Sequence, residues 1–334
     1  MIPFILRRLG FLVLVLLGIS FITFFLSHVV PADPVRLYAG PRASAATIKL
    51  LRHQLGLDQP LWKQFLDYMG GLLHGNFGYS LLSHRPVADD LKDYLPATIE
   101  LTLAAVFLIL VIGIPLGVMS AVWRGSVIDQ ITRVMTTTGV ALPAFWLGLM
   151  VQLLFFDLLG WLPEGGRLAV SAPPPPTVTG LYTVDSLLAG NIALFGQALW
   201  HLILPAAVLA YGSLAVLTRQ VRASVLEALT QDYVRTARAK GLRPLRVVVG
   251  HALRNALVPA TTVMGLQVGY LLGGALLVED VFSWPGIGRY ATLATLALDY
   301  NAVMAVTIVA AAIYVLVNLG VDLLYLALDP RITY

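Results

Sequence analysis

Six apolar stretches, at 9–30, 96–122, 131–160, 198–218, 256–278 and 302–326, decide what this chain can become. A helix needs about twenty residues to cross the roughly 30 Å hydrocarbon layer of a bilayer, and each stretch is long enough. Backbone groups inside lipid must be paired within the chain, which a helix does by itself. The charge content agrees, with 12% of residues charged and 58% hydrophobic, whereas soluble domains carry about 25% charged residues. The expected fold class is an all-α membrane protein with six transmembrane helices.

The first stretch follows Arg7 and Arg8 and runs into Val30-Pro31-Ala32-Asp33, which is no Ala-x-Ala-like exit. Residues 1–30 therefore read as an amino-terminal end and an uncleaved first span. Residues 31–95 turn polar and form a helical insertion between spans one and two, with amphipathic helices expected over 60–74 and 86–95. In the shorter of these, Val87, Leu91 and Leu95 are opposed by Asp89, Asp90 and Asp93. Residues 96–334 hold the other five spans. Glycines at four-residue steps, Gly113 and Gly117 in span two and Gly265, Gly269 and Gly273 in span five, offer ridges for close helix packing in lipid. The four prolines 173–176 require an extended connector.

Lys and Arg are distributed unevenly about these spans. With the amino terminus in the cytoplasm, thirteen fall inside and nine outside. Cytoplasmic loops carry the excess positive charge, so both termini are expected inside and 31–95 outside. The net charge of +4 speaks of orientation, and no basic face on a folded domain points to nucleic acid. The absence of cysteine excludes disulfides and thiolate metal sites. The six histidines show no metal-ligand spacing, and the chain has no Gly-Lys from which to build a phosphate-binding P-loop.

One polar segment stands apart. Residues 219–259 hold eight Lys/Arg against Glu227 and Asp232. Asp232 is expected to cap a short helix over 233–240, Gly241 to end it in a left-handed turn, and Pro244 to open the next helix. There Leu245, Val248, Val249, Ala252, Leu253, Ala256 and Leu257 recur at helical spacing. About two turns are too short to be stable alone, so the first helix is expected to dock onto a partner.

This order resembles the cytoplasmic coupling loop of ABC-importer permeases: Glu-Ala-Ala, three residues, Gly, nine residues, Ile-x-Leu-Pro. Arg235-Thr236-Ala237, Gly241 and His251-Ala252-Leu253 fall on those positions, with Arg254 in place of the proline. YVRTARAKGL followed by HALRNAL is the form used by the dipeptide/oligopeptide/nickel branch. Asp33-Pro34, the LGLDQPL string at 55–61, NFGYSL at 76–81, Asp299-Tyr300 and the closing Leu328-Asp329-Pro330-Arg331 resemble the same branch. So does FSWPGIGR at 282–289 after Glu279-Asp280, although Phe282 and Trp284 would also suit a bilayer interface around a Pro285-Gly286 turn.

The resemblance implies a type I ABC importer permease fold in a bacterial cytoplasmic (inner) membrane. It implies a second homologous permease subunit, two ATPase subunits and an extracytoplasmic substrate-binding protein. Asp232, Tyr233, Arg235, Thr236, Ala237, Arg238, Lys240 and Gly241 would form the ATPase-coupling site. This chain would bind no cofactor, leaving ATP and magnesium to the ATPases. Short peptides are the expected cargo, with nickel chelates or other small peptide-like solutes as the alternative. A secondary transporter would need matching inverted halves, and an intramembrane enzyme a catalytic dyad, and neither is legible. Gln267 and Gly274 are candidates for the translocation path, although Gln267 equally suits an interhelical hydrogen bond. Of the rare ionisable residues near spans, Glu100, Asp157 and Asp322 read as interfacial.

Overall fold

A computed structural model describes residues 2–29, 35, 43–54 and 56–328. Asp33-Pro34, Leu55 and Asp329-Pro330-Arg331 lie outside the described residues, and Asp322 is described only in its backbone. Among the described residues regular structure is helical, apart from one antiparallel bridge between Tyr79 and Pro86. The helices are α1 (Ile2–Val29), α2 (Ala45–Gln54), α3 (Leu61–Leu73), α4 (Val87–Leu108), α5 (Ile114–Val122), α6 (Val127–Ala141) and α7 (Ala144–Gln152). They continue as α8 (Tyr182–Leu188), α9 (Ile192–Ala228), α10 (Asp232–Ala239), α11 (Pro244–Val247), α12 (Leu253–Val281), α13 (Ile287–Leu296) and α14 (Tyr300–Leu328). Wider π turns follow α4, α7 and α11 at Ile109–Gly113, Leu153–Leu158 and Val248–Ala252.

Four segments are long and apolar enough to cross a membrane: Gly10–Ser27, Val87–Val122, Ile192–Ala228 and Tyr300–Gly320. Two bent helix pairs bring the number to as many as six. One is the stretch expected as a single span over 131–160. It is instead α6 and the α7 segment, bent by 112°. The cause is local: Leu142 precedes Pro143, which disfavours the helical conformation, and both are extended with ψ of 129° and 134°. The short helix expected over 86–95 is likewise not separate, because α4 runs through Pro96 into the second span. Asp90 does not oppose Val87 and Leu91. It lies three residues after Val87, on the same buried face.

The chain divides into two compact units, one drawn from residues up to Ala97 and from Pro285–Val315, the other from Thr98–Trp284 and from Leu316 onward. In the first, Val87 and Leu91 pack with Ile287, Tyr290, Ala294, Ala302 and Ala305, and the rings of Tyr94 and Tyr290 stack at 4.9 Å. Phe65 of α3 meets Phe21 and Phe24 of α1 edge-on, at 5.7 and 5.3 Å.

The second unit is built around α9, which packs against α5, α6, α7, α8 and α12. Its 37 residues make a rod of about 55 Å, longer than an apolar layer of about 30 Å. The stretch 219–228, expected as loop, is therefore the protruding end of this helix. Small residues let its neighbours approach: a Cβ on Gly117 would lie 2.8 Å from the Thr218 carbonyl oxygen, and one on Gly139 2.7 Å from Ala215 Cβ. The ridge expected on span five is only partly a packing surface. Gly265 and Gly269 are buried, but Gly273 faces open space, and it is Gly274 that approaches Leu209 of α9, at 3.6 Å from its Cβ position. Gly117→Val should accordingly overpack the α5–α9 contact and destabilise the protein by about 1–3 kcal/mol. Gly273→Ala should leave the thermal midpoint of the purified protein unchanged. Equal midpoints for Gly117→Val and wild type would refute this packing account.

Candidate coupling and translocation site

The basic segment leaves the end of α9 through a turn at Thr230-Gln231 and enters α10. Gln231, extended at ψ 152°, is the N-cap residue. Asp232 is not the cap that sequence spacing implies. It is the first helical residue, 93% exposed and 3.4 Å from Arg235, where its charge still favours the positive end of the short helix. Val234 and Ala237, three residues apart, are the buried face of α10, packed with Ala228, Val247 and Ala252. Asp232, Tyr233, Arg235, Thr236, Arg238 and Lys240 point outward. Two apolar residues thus fasten the helix while the rest of its surface stays open to a partner. Val234, absent from the sequence-based set, is fully buried and fixes the orientation of all the others.

Gly241 has a φ of +73°. Its N–H donates to the Arg238 carbonyl at 2.9 Å and that of Leu242 to the Ala237 carbonyl at 3.4 Å, the paired bonds of a Schellman turn. Pro244 opens α11. The π turn Val248–Ala252 then shifts the apolar stripe. Val247, Val248, Ala252 and Ala256 are buried, whereas Leu245 and Val249, expected on that face, are 75% and 52% exposed. A π turn uses more residues per turn than the helical spacing assumes.

Gln267 joins α12 to α9: its Oε1 accepts from Ser213 Oγ at 2.8 Å. The interhelical hydrogen bond, one of the two roles open to it, is present. Gly274 is at the same interface.

Other polar residues are placed as sequence reasoning did not foresee. Glu100 is buried rather than interfacial. Its Oε2 accepts from Arg167 Nη2 at 2.6 Å, and its Oε1 accepts from the Thr183 backbone N–H and hydroxyl, each at 2.7 Å. Phe282 and Trp284 are each 1% exposed, not interfacial; the Phe282 carbonyl oxygen accepts from the Gly166 N–H at 2.9 Å. Asp157 is exposed. Asp185 is capped by the loop before α8: burial pushes its carboxyl up, but the Thr179 hydroxyl and the N–H groups of Thr179, Val178 and Gly180 prevail and hold it below its ordinary value. In the first unit Ser80 of NFGYSL donates to the buried Asp299 at 2.5 Å, and Asn301 donates to the Tyr79 carbonyl at 3.0 Å. Tyr290 donates to Asp90 at 2.8 Å, and burial pushes the Tyr290 hydroxyl well above its ordinary value. Among the described residues no group of three or more His, Cys, Asp or Glu is placed to hold a metal ion.

A family model described as binding-protein-dependent transport system inner membrane component matches residues 113–334, and its amino-terminal counterpart matches residues 1–102. The chain belongs to this permease family. Among its relatives is the probable D,D-dipeptide transport system permease protein DdpB of Escherichia coli (strain K12), 52% identical over 98% of this chain and 96% of that one. The di/tripeptide transport system permease protein DppB of Pseudomonas aeruginosa (strain UCBPP-PA14) is 45% identical over 100% of this chain and 99% of its own. The glutathione transport system permease protein GsiC of Escherichia coli (strain K12) is 39% identical over the full length of both.

Proposed function

We propose that this permease is one transmembrane subunit of an ATP-driven importer of short peptides, paired with a second permease subunit, two ATPases and an extracytoplasmic binding protein. The observation that carries this reading is full-length similarity to permeases whose names specify dipeptides, di/tripeptides and glutathione. All three cargo classes are short peptides or close analogues. In this reading α10 docks in a groove of the ATPase, and closure there drives the spans through α9 and α11. Residues 31–95 lie outside the cytoplasm and both termini inside, as the Lys/Arg asymmetry requires.

Isolated in lipid, the chain is expected to show no ATP turnover above background, and addition of its ATPases and partner permease is expected to produce it. Turnover by the pure chain would remove the subunit assignment. For orientation, a reporter enzyme active only outside the cytoplasm should work when fused after Asp67 or Thr179 and be silent after Leu242. Activity at Leu242 would reverse the topology and with it the coupling role.

A further inference from the structure

Between α6 and α9 lies a cavity of about 330 Å³ whose lining is basic and hydroxylic. Arg219 and Arg222 reach it from α9 and Arg133 from α6, with Thr132, Thr136 and Thr218 among them. Only one of these cations is fully committed within the protein. Arg222 is held by Asp129 through Nε at 2.8 Å and Nη2 at 3.1 Å, and Asp129 is further satisfied by the Ser120 hydroxyl at 2.6 Å. Arg133 stands 3.8 Å from the same carboxylate, too far for a hydrogen bond. Arg219 has no ion pair or hydrogen bond among the described residues. Three guanidinium groups thus line the cavity, and the one carboxylate near any of them, Asp129, is already saturated.

One hydroxyl points to the same kind of ligand, since those of Thr136 and Thr218 already donate to the Arg133 and Gly113 carbonyls. Thr132 is 97% buried at 3% exposure, lines the cavity, and has no hydrogen-bond partner among the described residues. That hydroxyl keeps solvent access through the cavity and is free to donate to a ligand there. One ligand engages all three groups: a compact oxyanion that accepts from the Thr132 hydroxyl and from Arg219 and Arg133. The space is about ten times the roughly 30 Å³ that a water molecule occupies in the liquid, so a tetrahedral phosphate fits. Guanidinium groups match phosphate oxygens in forked pairs, and basic pockets between membrane helices are a recurrent form of headgroup site.

We propose that this cavity is a phosphate-binding site on the permease, bridging α6 to the end of α9 that carries the coupling segment. The same chemistry is offered by inorganic phosphate and by the phosphodiester of an acidic phospholipid. The assembled transporter in phosphatidylcholine nanodiscs, titrated with radiolabelled inorganic phosphate, tests the first source. Native mass spectrometry of the assembly from nanodiscs containing phosphatidylglycerol tests the second. Loss of one charge-assisted hydrogen bond should weaken binding of the favoured probe about tenfold or more. Arg219→Gln and Thr132→Val should each show that loss. Arg219 is exposed, so its replacement leaves the fold intact and the test interpretable. Lys63→Gln, which removes one exposed positive charge from α3 outside the cavity lining, should leave binding as in wild type. Retention of either probe that falls in both cavity variants supports the site and identifies its source. Absence of saturable binding of both probes overturns it, as does wild-type binding in the cavity variants or an equal loss in Lys63→Gln.

Discussion

Arg167→Ala is expected to destabilise this permease by about 3–5 kcal/mol, the cost of leaving one charge of a buried pair alone. The Glu100 and Arg167 side chains are each 5% exposed. Arg167 approaches Glu100 Oε2 through Nη2 at 2.6 Å and Nε at 3.1 Å, donates to the Gly180 carbonyl at 2.7 Å, and lies 3.5 Å from the centre of the Tyr182 ring. Truncation removes all of these at once. Thr183 is then left as donor to a buried carboxylate with no cation. Glu100→Gln leaves the guanidinium uncompensated and should cost a comparable amount. Replacing both, as Glu100→Leu with Arg167→Met, should recover much of the loss, because two apolar side chains of similar volume carry no desolvation penalty. Thermal unfolding of the purified protein, compared across the single variants and the double, separates charge from packing. An Arg167→Ala midpoint equal to wild type would contradict the assignment of this pair as a structural tie.

Gly241→Val is expected to abolish most substrate uptake while leaving membrane insertion and expression near normal. The φ of +73° costs an ordinary L-residue roughly 1–2 kcal/mol, and a β-branched one more. Space is not the obstacle, since a Cβ there meets nothing within 4 Å. The strain falls on the two turn bonds to Arg238 and Ala237, which set where α10 ends. Only Val234 and Ala237 fasten that helix, so relaxation of the turn re-aims its exposed face. Substrate-stimulated ATP hydrolysis and uptake should fall together, with Gly241→Ala milder than Gly241→Val. If the segment merely held topology, neither glycine variant would matter, while loss of Arg235, Arg238 and Lys240 would. Assays of both activities at matched expression decide it, and wild-type behaviour in Gly241→Val would end the coupling reading of α10.

The features legible in the sequence are those that depend on neighbours close along the chain. Apolar runs of span length, the excess of Lys/Arg over 219–259, and the glycine that halts a short helix each follow from one stretch read alone. Even there the reading failed where backbone geometry departs from 3.6 residues per turn, as the π turn at Val248–Ala252 moved Leu245 and Val249 off the buried face. Asp232 missed the cap position by one residue, within the ordinary uncertainty of helix ends.

What the sequence by itself determined is a multi-pass helical membrane protein with one strongly basic segment, because span length and charge asymmetry are additive properties of single segments. Only the tertiary structure decided which polar groups are buried and with whom. Glu100 meets Arg167 across 67 positions, and Arg222 meets Asp129 across 93. Ser80 meets Asp299 across 219. Periodicity shows which face of a helix a residue occupies but not what that face packs against. A carboxylate near a span end therefore looks the same in sequence whether it faces water or a buried guanidinium. The difference lies in desolvation, which depends on every element around the group, and that exists only once the helices have come together.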